Sequence, residues 1–330
     1  MHLQVSEIPG LVWAYHFPGD GTGARQLHDE QLPDALISQG FVWLHFGLAD
    51  TRLPAFLESL NLLPESVYLA LVTRDMHPSA TVEDGWLFGT LSGFQREFDH
   101  KSRELDFLHF AVSDRIIITT RLHPLANVEL TKNAAVHNPR KFDSPIDVFE
   151  YLVREFQRSL FELVAAVTED LNDIEDGVRN AAPERQKKEL QPLRRSIVRL
   201  YRHLRTLLTA MRHVAAADED DMPEEFETAI SRINSRLEAG TLEVEALRER
   251  ARLLYEDINS EIQDETNRHI YILSVITALI MPPTLVTGFF GMNTSGLPFE
   301  HGAAGTVMAG AAMLVSVLLA WWAVKKGGLL

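Results

Sequence analysis

A chain of 330 residues with 46 acidic and 31 basic side chains carries a formal charge of -15, which argues against nucleic acid as a partner, because that binding is driven by counterion release to an excess of Lys and Arg. With no cysteine it forms neither disulfides nor thiolate metal sites, so any transition-metal contact must come from His, carboxylates, amides or water. The 46% hydrophobic content is ordinary, but its distribution is not: no Asp, Glu, Lys or Arg falls between His269 and Phe299 or between His301 and Val324, whereas the chain before residue 268 is densely charged.

In chain order, the opening "MHLQVSEIPG" lacks the basic start and long apolar core of a signal peptide, and none is expected. Residues 1–143 predict a cytoplasmic domain of mixed strands and helices. "LVWAYHF", "FVWLHF", "GWLFGTLSGF", "DFLHFAVS" and "RIIITTR" read as strands, and "LPAFLESLNL" and "PESVYLALV" carry helical spacing. "PGDGTG" and "HPSATVEDG" read as turn-rich connections. His45 and His109 sit in apolar strand runs and read as core residues. There is no phosphate-binding glycine loop, nucleophile elbow or His-Glu metalloprotease spacing, so an enzyme is not expected.

From Ser144 onward the period is helical. Ser144 as N-cap and Pro145 at the first helical position start a helix expected to reach about Val178. After "NAAPE" a second is expected from Pro183 to about Ala216, making residues 144–221 a helical hairpin. The acidic run Glu219–Asp221 reads either as a cytoplasmic cation site or as a solvated linker. Residues 222–269 predict a stalk helix. In it Phe226, Ile230, Ile233, Leu237, Gly240, Val244, Leu247, Ala251, Leu254 and Ile258 alternate spacings of 4 and 3, a heptad seam that predicts self-association, with packing on the chain's own preceding helices as the alternative. No proline falls between Glu224 and Met281, so the stalk continues into the next segment as one helix of about 65 residues, roughly 100 Å long at 1.5 Å per residue.

That segment, residues 270–290, and residues 303–324 are uncharged runs of 21 and 22 residues, matching the roughly 20 needed to cross a bilayer; two buried helices of a soluble protein are the alternative. Arg268 precedes the first run and Lys325 and Lys326 open the basic tail 325–330, whereas the loop 291–302 has no Lys or Arg. Both termini are therefore expected on the cytoplasmic side of the inner (plasma) membrane and the loop outside.

Counting back from Asn293, Gly288, Thr284, Met281, Thr277, Leu273, Ile270 and Asn267 recur at steps of mostly 3 or 4 and share roughly one helical face. Small and hydroxyl residues mixed with bulky apolar ones suit a pore with wet rings and dry constrictions. Gly and Thr are equally common at membrane helix contacts, and periodicity alone does not decide between the two. Two spans cannot enclose a polar path, so conduction requires several copies around an axis. Pro282 and Pro283 are expected to bend the span. The break at Gly291, Met292 and Asn293 is expected to leave carbonyls open from Phe290 back, favouring cations, with the Asn293 amide offering a further carbonyl to a hydrated ion. Glu300 and His301 just beyond read as external capture residues or as ordinary solvated loop side chains.

A Gly-Met-Asn sequence at this position, preceded by "MPPTLVTGFF" and a long charged helix, resembles the CorA superfamily of divalent cation transporters along the whole chain. The following "TSGLPFE" lacks the Met-Pro-Glu-Leu element of CorA magnesium channels. It is similar to the Gly-Gly-Ile-Pro loop of the ZntB zinc transporter branch, with Ser295, Gly296, Leu297 and Pro298 in matching places and Ser295 replacing one glycine; Asn267 is closer to the magnesium branch. The resemblance implies an α+β cytoplasmic domain, long helices and two C-terminal transmembrane helices in a funnel-shaped homopentamer. The first span would line the pore and the second lie outside it, with Met281, Thr284, Gly291 and Asn293 at pore-facing positions. It implies zinc as the transported ion, with cadmium, nickel and cobalt as further cargo, no permanently bound cofactor, and proton coupling left open. The expected partners are further copies of the chain, the lipid bilayer and divalent cations. The alternatives are a CorA-type magnesium and cobalt channel gated by cytoplasmic divalent ions, and a membrane-anchored scaffold that passes no ions.

Overall fold

The computed structural model describes residues 8–19, 23–59, 62–96, 101–138, 141–179, 183–217, 224–292 and 303–326. The chain divides into two units, residues 1–179 with 188–254, and residues 180–187 with 255–330.

In the first unit, strands β1 (Leu11–Phe17), β2 (Arg25–Gln26), β3 (Phe41–Gly47), β4 (Ser79–Glu83), β5 (Trp86–Arg96), β6 (Lys101–Val112) and β7 (Ile116–Arg121) form one sheet. Its order is β2-β1-β3-β7-β6-β5-β4, and only the β3–β7 pair is parallel. All six residues of "FVWLHF" in β3 are buried, as expected for a central strand covered on both faces. Alternate residues then feed two cores. Val42, Leu44, Phe46, Ala111 and Ile118 pack with α1 (Leu32–Ile37), α2 (Leu53–Ser59) and α3 (Glu65–Val72). Trp43, Leu108, Phe110, Val112 and Ile117 face the other layer, supplied by α4 (Ala126–His137), α5 (Pro145–Arg179), α6 (Pro183–Val214) and the first part of α7 (Glu224–Phe290). There the Phe110 and Phe149 rings meet at 4.3 Å between centroids; full burial of such a side chain contributes about 1.5–3 kcal/mol.

The heptad seam has a different partner from the one its regularity suggests. Phe226, Ile230, Ile233, Leu237 and Val244 are buried within a single copy, and the first four share the core of the sheet, α5 and α6. At Gly240 a Cβ would lie 2.8 Å from Leu160 Cδ2, so the missing side chain lets α5 come close. Ion pairs Arg232–Glu150 (2.7 Å), Arg212–Glu238 (2.9 Å) and Arg250–Glu175 (3.1 Å) flank this packing. Each is exposed enough to contribute little net stability, and they serve mainly to fix register. The seam is therefore an intramolecular surface, and any self-association would have to use other faces.

Two elements depart from the sequence expectation. Within "HPSATVEDG", Ser79–Glu83 is an edge strand, joined to β5 by Asp84 (φ 51°) and Gly85 (φ 76°), a two-residue turn whose left-handed residues match hairpin twist. Gly89 opposite it is obligatory, because a Cβ there would lie 2.2 Å from the Ser79 carbonyl oxygen. Helix α4 has no strong apolar periodicity in the sequence, and it forms under tertiary contact through Val128, Thr131 and Ala135.

The second unit holds the remainder of α7 and α8 (Ala303–Lys326). Both carry apolar windows long enough to cross a membrane, almost wholly uncovered in one copy. α7 stays helical through Pro282 and Pro283, although each proline removes a backbone donor.

Candidate functional site

The polar stripe lies on the exposed α7 segment. At 100° per residue, Ile270, Leu273, Thr277, Met281, Thr284, Gly288 and Gly291 fall within an arc of roughly 80°, and Asn267 lies about 40° beyond its edge. All of them are exposed. The less exposed positions of the same segment, Val275, Leu279, Pro282, Pro283, Val286 and Phe290, centre on the opposite side of the helix. In α8 the less exposed positions include Gly305, Ala309, Ala312, Ser316 and Ala320, small residues of the kind that bring membrane helices together. Ala312 of α8 borders a groove lined from α7 by Val286 and Phe290 and also by the stripe residues Thr277, Met281, Thr284 and Gly288. The stripe is thus the more exposed face of α7, opposite its less exposed positions, and its upper part borders a groove shared with α8.

The stripe hydroxyls have a defined polarity. Thr277 Oγ1 donates to the Leu273 carbonyl and Thr284 Oγ1 to the Ile280 carbonyl, each at 2.8 Å. A hydroxyl has one proton, so both present only lone pairs outward. Acceptors of this kind suit the outward-pointing hydrogens of a cation's hydration shell. Met281, Leu273 and Ile270 stand between and below them as exposed apolar side chains, the composition of a dry constriction.

At the break, Gly291 N–H donates to the Thr287 carbonyl at 2.9 Å and Met292 N–H reaches the Phe289 carbonyl at 3.5 Å. The open carbonyls expected from Phe290 back are thus fewer than the sequence suggests. Gly291 does not have a left-handed backbone. Its need is spatial, since a Cβ would lie 2.9 Å from Thr287 O. Asn293, Glu300 and His301 lie outside the described residues, as does the acidic run Glu219–Asp221. Among the described residues no three His, Asp or Glu side chains gather in a way that could hold a metal ion.

His45 and His109 are both buried in the sheet unit. His45 Nε2 accepts from Arg121 Nε (2.8 Å), so its proton sits on Nδ1, which donates to Thr119 Oγ1 (2.8 Å). Burial, aided by the charges of Arg121 and Lys132, holds its pKa well below the ordinary value. His109 hydrogen-bonds Thr90, and burial lowers its pKa to about 4 against the opposing pull of Asp106 and Asp75. Both imidazoles are neutral at pH 7.

A family model described as CorA-like Mg2+ transporter protein matches residues 38–326. The zinc transport protein ZntB of Yersinia enterocolitica serotype O:8 / biotype 1B is 26% identical over 328 residues, covering 97% of this chain and 95% of that protein. The solved structure of the full-length CmaX protein superimposes with a TM-score of 0.76 at 22% identity, covering 98% of this chain and 99% of that one. The CorA magnesium transporter from Methanocaldococcus jannaschii gives 0.73 at 14% identity, covering 96% and 98%. The two structural likenesses establish the fold.

Proposed function

Because the chain belongs to the CorA-like Mg2+ transporter family, we infer that it carries divalent cations across a membrane, with zinc as its main cargo. The observation that supports this most directly is the exposed α7 stripe, set on the face of the helix opposite its less exposed residues. A stripe so placed can face a common axis when several copies assemble, with α7 inside and α8 outside. A homopentamer in the inner membrane, with both termini cytoplasmic, accounts for the basic flanks Arg268, Lys325 and Lys326. In this reading Thr277, Thr284 and the Asn293 amide form wet rings that hold a hydrated ion through its water. Ile270, Leu273 and Met281 form the dry section, Gly288 and Gly291 let the helices and the turn close up, and Met292 braces the turn. Asn267 contributes at the cytoplasmic entrance, and Glu300 and His301 collect cations outside.

Zinc is favoured over magnesium by the near full-length likeness to a zinc transport protein and by the Ser295–Pro298 loop. Purified protein in liposomes should take up zinc, with magnesium competing weakly, and an imposed pH gradient should reveal any proton coupling. Asn293→Ala should reduce the zinc flux about tenfold or more, the effect of losing a charge-assisted contact. Dominant magnesium flux with zinc excluded would replace this reading with the magnesium-channel alternative; normal zinc flux in Asn293→Ala would remove the role of the amide.

A further inference from the structure

A second site lies in the sheet unit, where β3, β7, β1 and the start of α4 meet around a cavity of about 210 Å³. Its base is a completed hydrogen-bond network. Thr119 Oγ1 accepts from Trp43 Nε1 (3.0 Å) and from His45 Nδ1 (2.8 Å), and donates to the Leu44 carbonyl (3.3 Å). His45, with no exposed surface, has only its Nε2 lone pair left, and Arg121 Nε–H takes it. Trp13 stacks on the imidazole at 4.6 Å. Every atom of this base is committed, so the plane of the Arg121 guanidinium is fixed.

The other end of that guanidinium is not committed. Nε is its one hydrogen-bonding atom with a partner among the described residues, and Arg121 lines the cavity. Burial works against the charge, and Glu129 and Asp106 offset this through space without an ion pair to it among the described residues. A fork held rigidly by Nε, with its terminal donors free, is the geometry that takes a carboxylate in two parallel bonds. The same cavity is lined by Leu125, the N-cap of α4, which has no side-chain cap, and the helix start adds donor character there.

The rest of the lining narrows the ligand. Leu125, Val128 and the Trp13 ring provide an apolar wall. Glu129, whose carboxylate is held by Lys132 at 2.8 Å, disfavours a dianion such as phosphate and favours a hydrogen-bond donor beside the ligand's carboxyl group. The volume is smaller than that of drug-sized pockets and admits only a small metabolite. We propose that this cavity binds a small carboxylate bearing a hydroxyl or ammonium group on the carbon next to its carboxyl group, with Arg121 holding the carboxylate and Glu129 facing the donor.

The test is calorimetric titration of the full-length protein in detergent with lactate, alanine, propionate and inorganic phosphate, each up to the order of 10 mM. Saturable binding of lactate or alanine, weaker binding of propionate and none of phosphate is the expected pattern; the lactate and alanine arms separate a 2-hydroxy acid from an amino acid. Arg121→Gln should weaken binding about tenfold or more. Should that variant fail to fold, Glu129→Gln decides, because it should abolish the preference of the donor-bearing acid over propionate while leaving propionate binding in place. Absence of saturable binding by all four, binding unchanged in Arg121→Gln, or an unchanged preference in Glu129→Gln overturns the proposal.

Discussion

A Gly291→Ala protein should fold and enter the membrane yet carry little or no zinc flux. The added Cβ would lie 2.9 Å from the Thr287 carbonyl oxygen, the atom that already accepts the Gly291 N–H at 2.9 Å. Both contacts involve backbone, so relief requires the last turn of α7 to open, at about 1–3 kcal/mol. The shift is local to the end of a 67-residue helix and leaves the sheet unit untouched. It moves Met292 and the chain beyond it, where the Asn293 amide is assigned its role. Gly288→Ala provides the contrast: beyond the backbone of its own helical turn, nothing lies within 4 Å of a Cβ at that position in one copy. Any loss of flux in Gly288→Ala therefore reports crowding by a neighbouring copy, and flux in the two variants can be compared at equal protein density in liposomes.

The sheet unit should lose stability steeply as pH falls from about 6.5 to 4. Both His45 and His109 have folded-state pKa values below the unfolded 6.5, the latter at about 4. In that window the unfolded chain binds protons that the folded chain refuses, so their stabilising contribution is complete above about pH 6.5 and declines as the solution is acidified. Each such histidine changes the unfolding free energy by about 1.4 kcal/mol per pH unit, and His109 alone accounts for about 3 kcal/mol across the window. Thermal melts of the full-length protein at pH 7 and pH 5 check this. His109→Gln should flatten the pH slope by roughly half, and an unchanged slope would show that the imidazole is not the titrating group.

The elements most legible in the sequence are those with long, uninterrupted patterns. Pro145 and Pro183 mark helix starts because proline is tolerated where no backbone donor is needed, and α5 and α6 begin at those residues. The seam of α7 is equally legible as a buried surface, but a heptad pattern does not say what covers it; α5, α6 and the sheet do so here. Strand β4 is hidden because its residues are short and polar, although Asp84-Gly85 before Trp86 is itself a hairpin signal. For the membrane segment, the stripe follows from spacing alone. Its direction does not, since placing it on the exposed face depends on knowing that Val275, Leu279 and Val286 are the covered positions. The Arg121 cavity is least legible of all. Residues 13, 45, 121 and 129 converge only through the parallel β3–β7 register, in which His45 pairs with Thr119.

A stripe that lines the ion path should be open to water-soluble reagents from the pore, and the absence of native cysteine lets each position be probed with one thiol. Single cysteines at Thr284 and at Val286 would each be the sole thiol in the protein, on opposite sides of one helix. Zinc flux in liposomes is then followed before and after treatment with a charged, water-soluble thiol reagent. Modification and block are expected in Thr284→Cys, with flux in Val286→Cys unaffected. Block at Val286→Cys with none at Thr284→Cys would contradict it and place the path on the other face of α7.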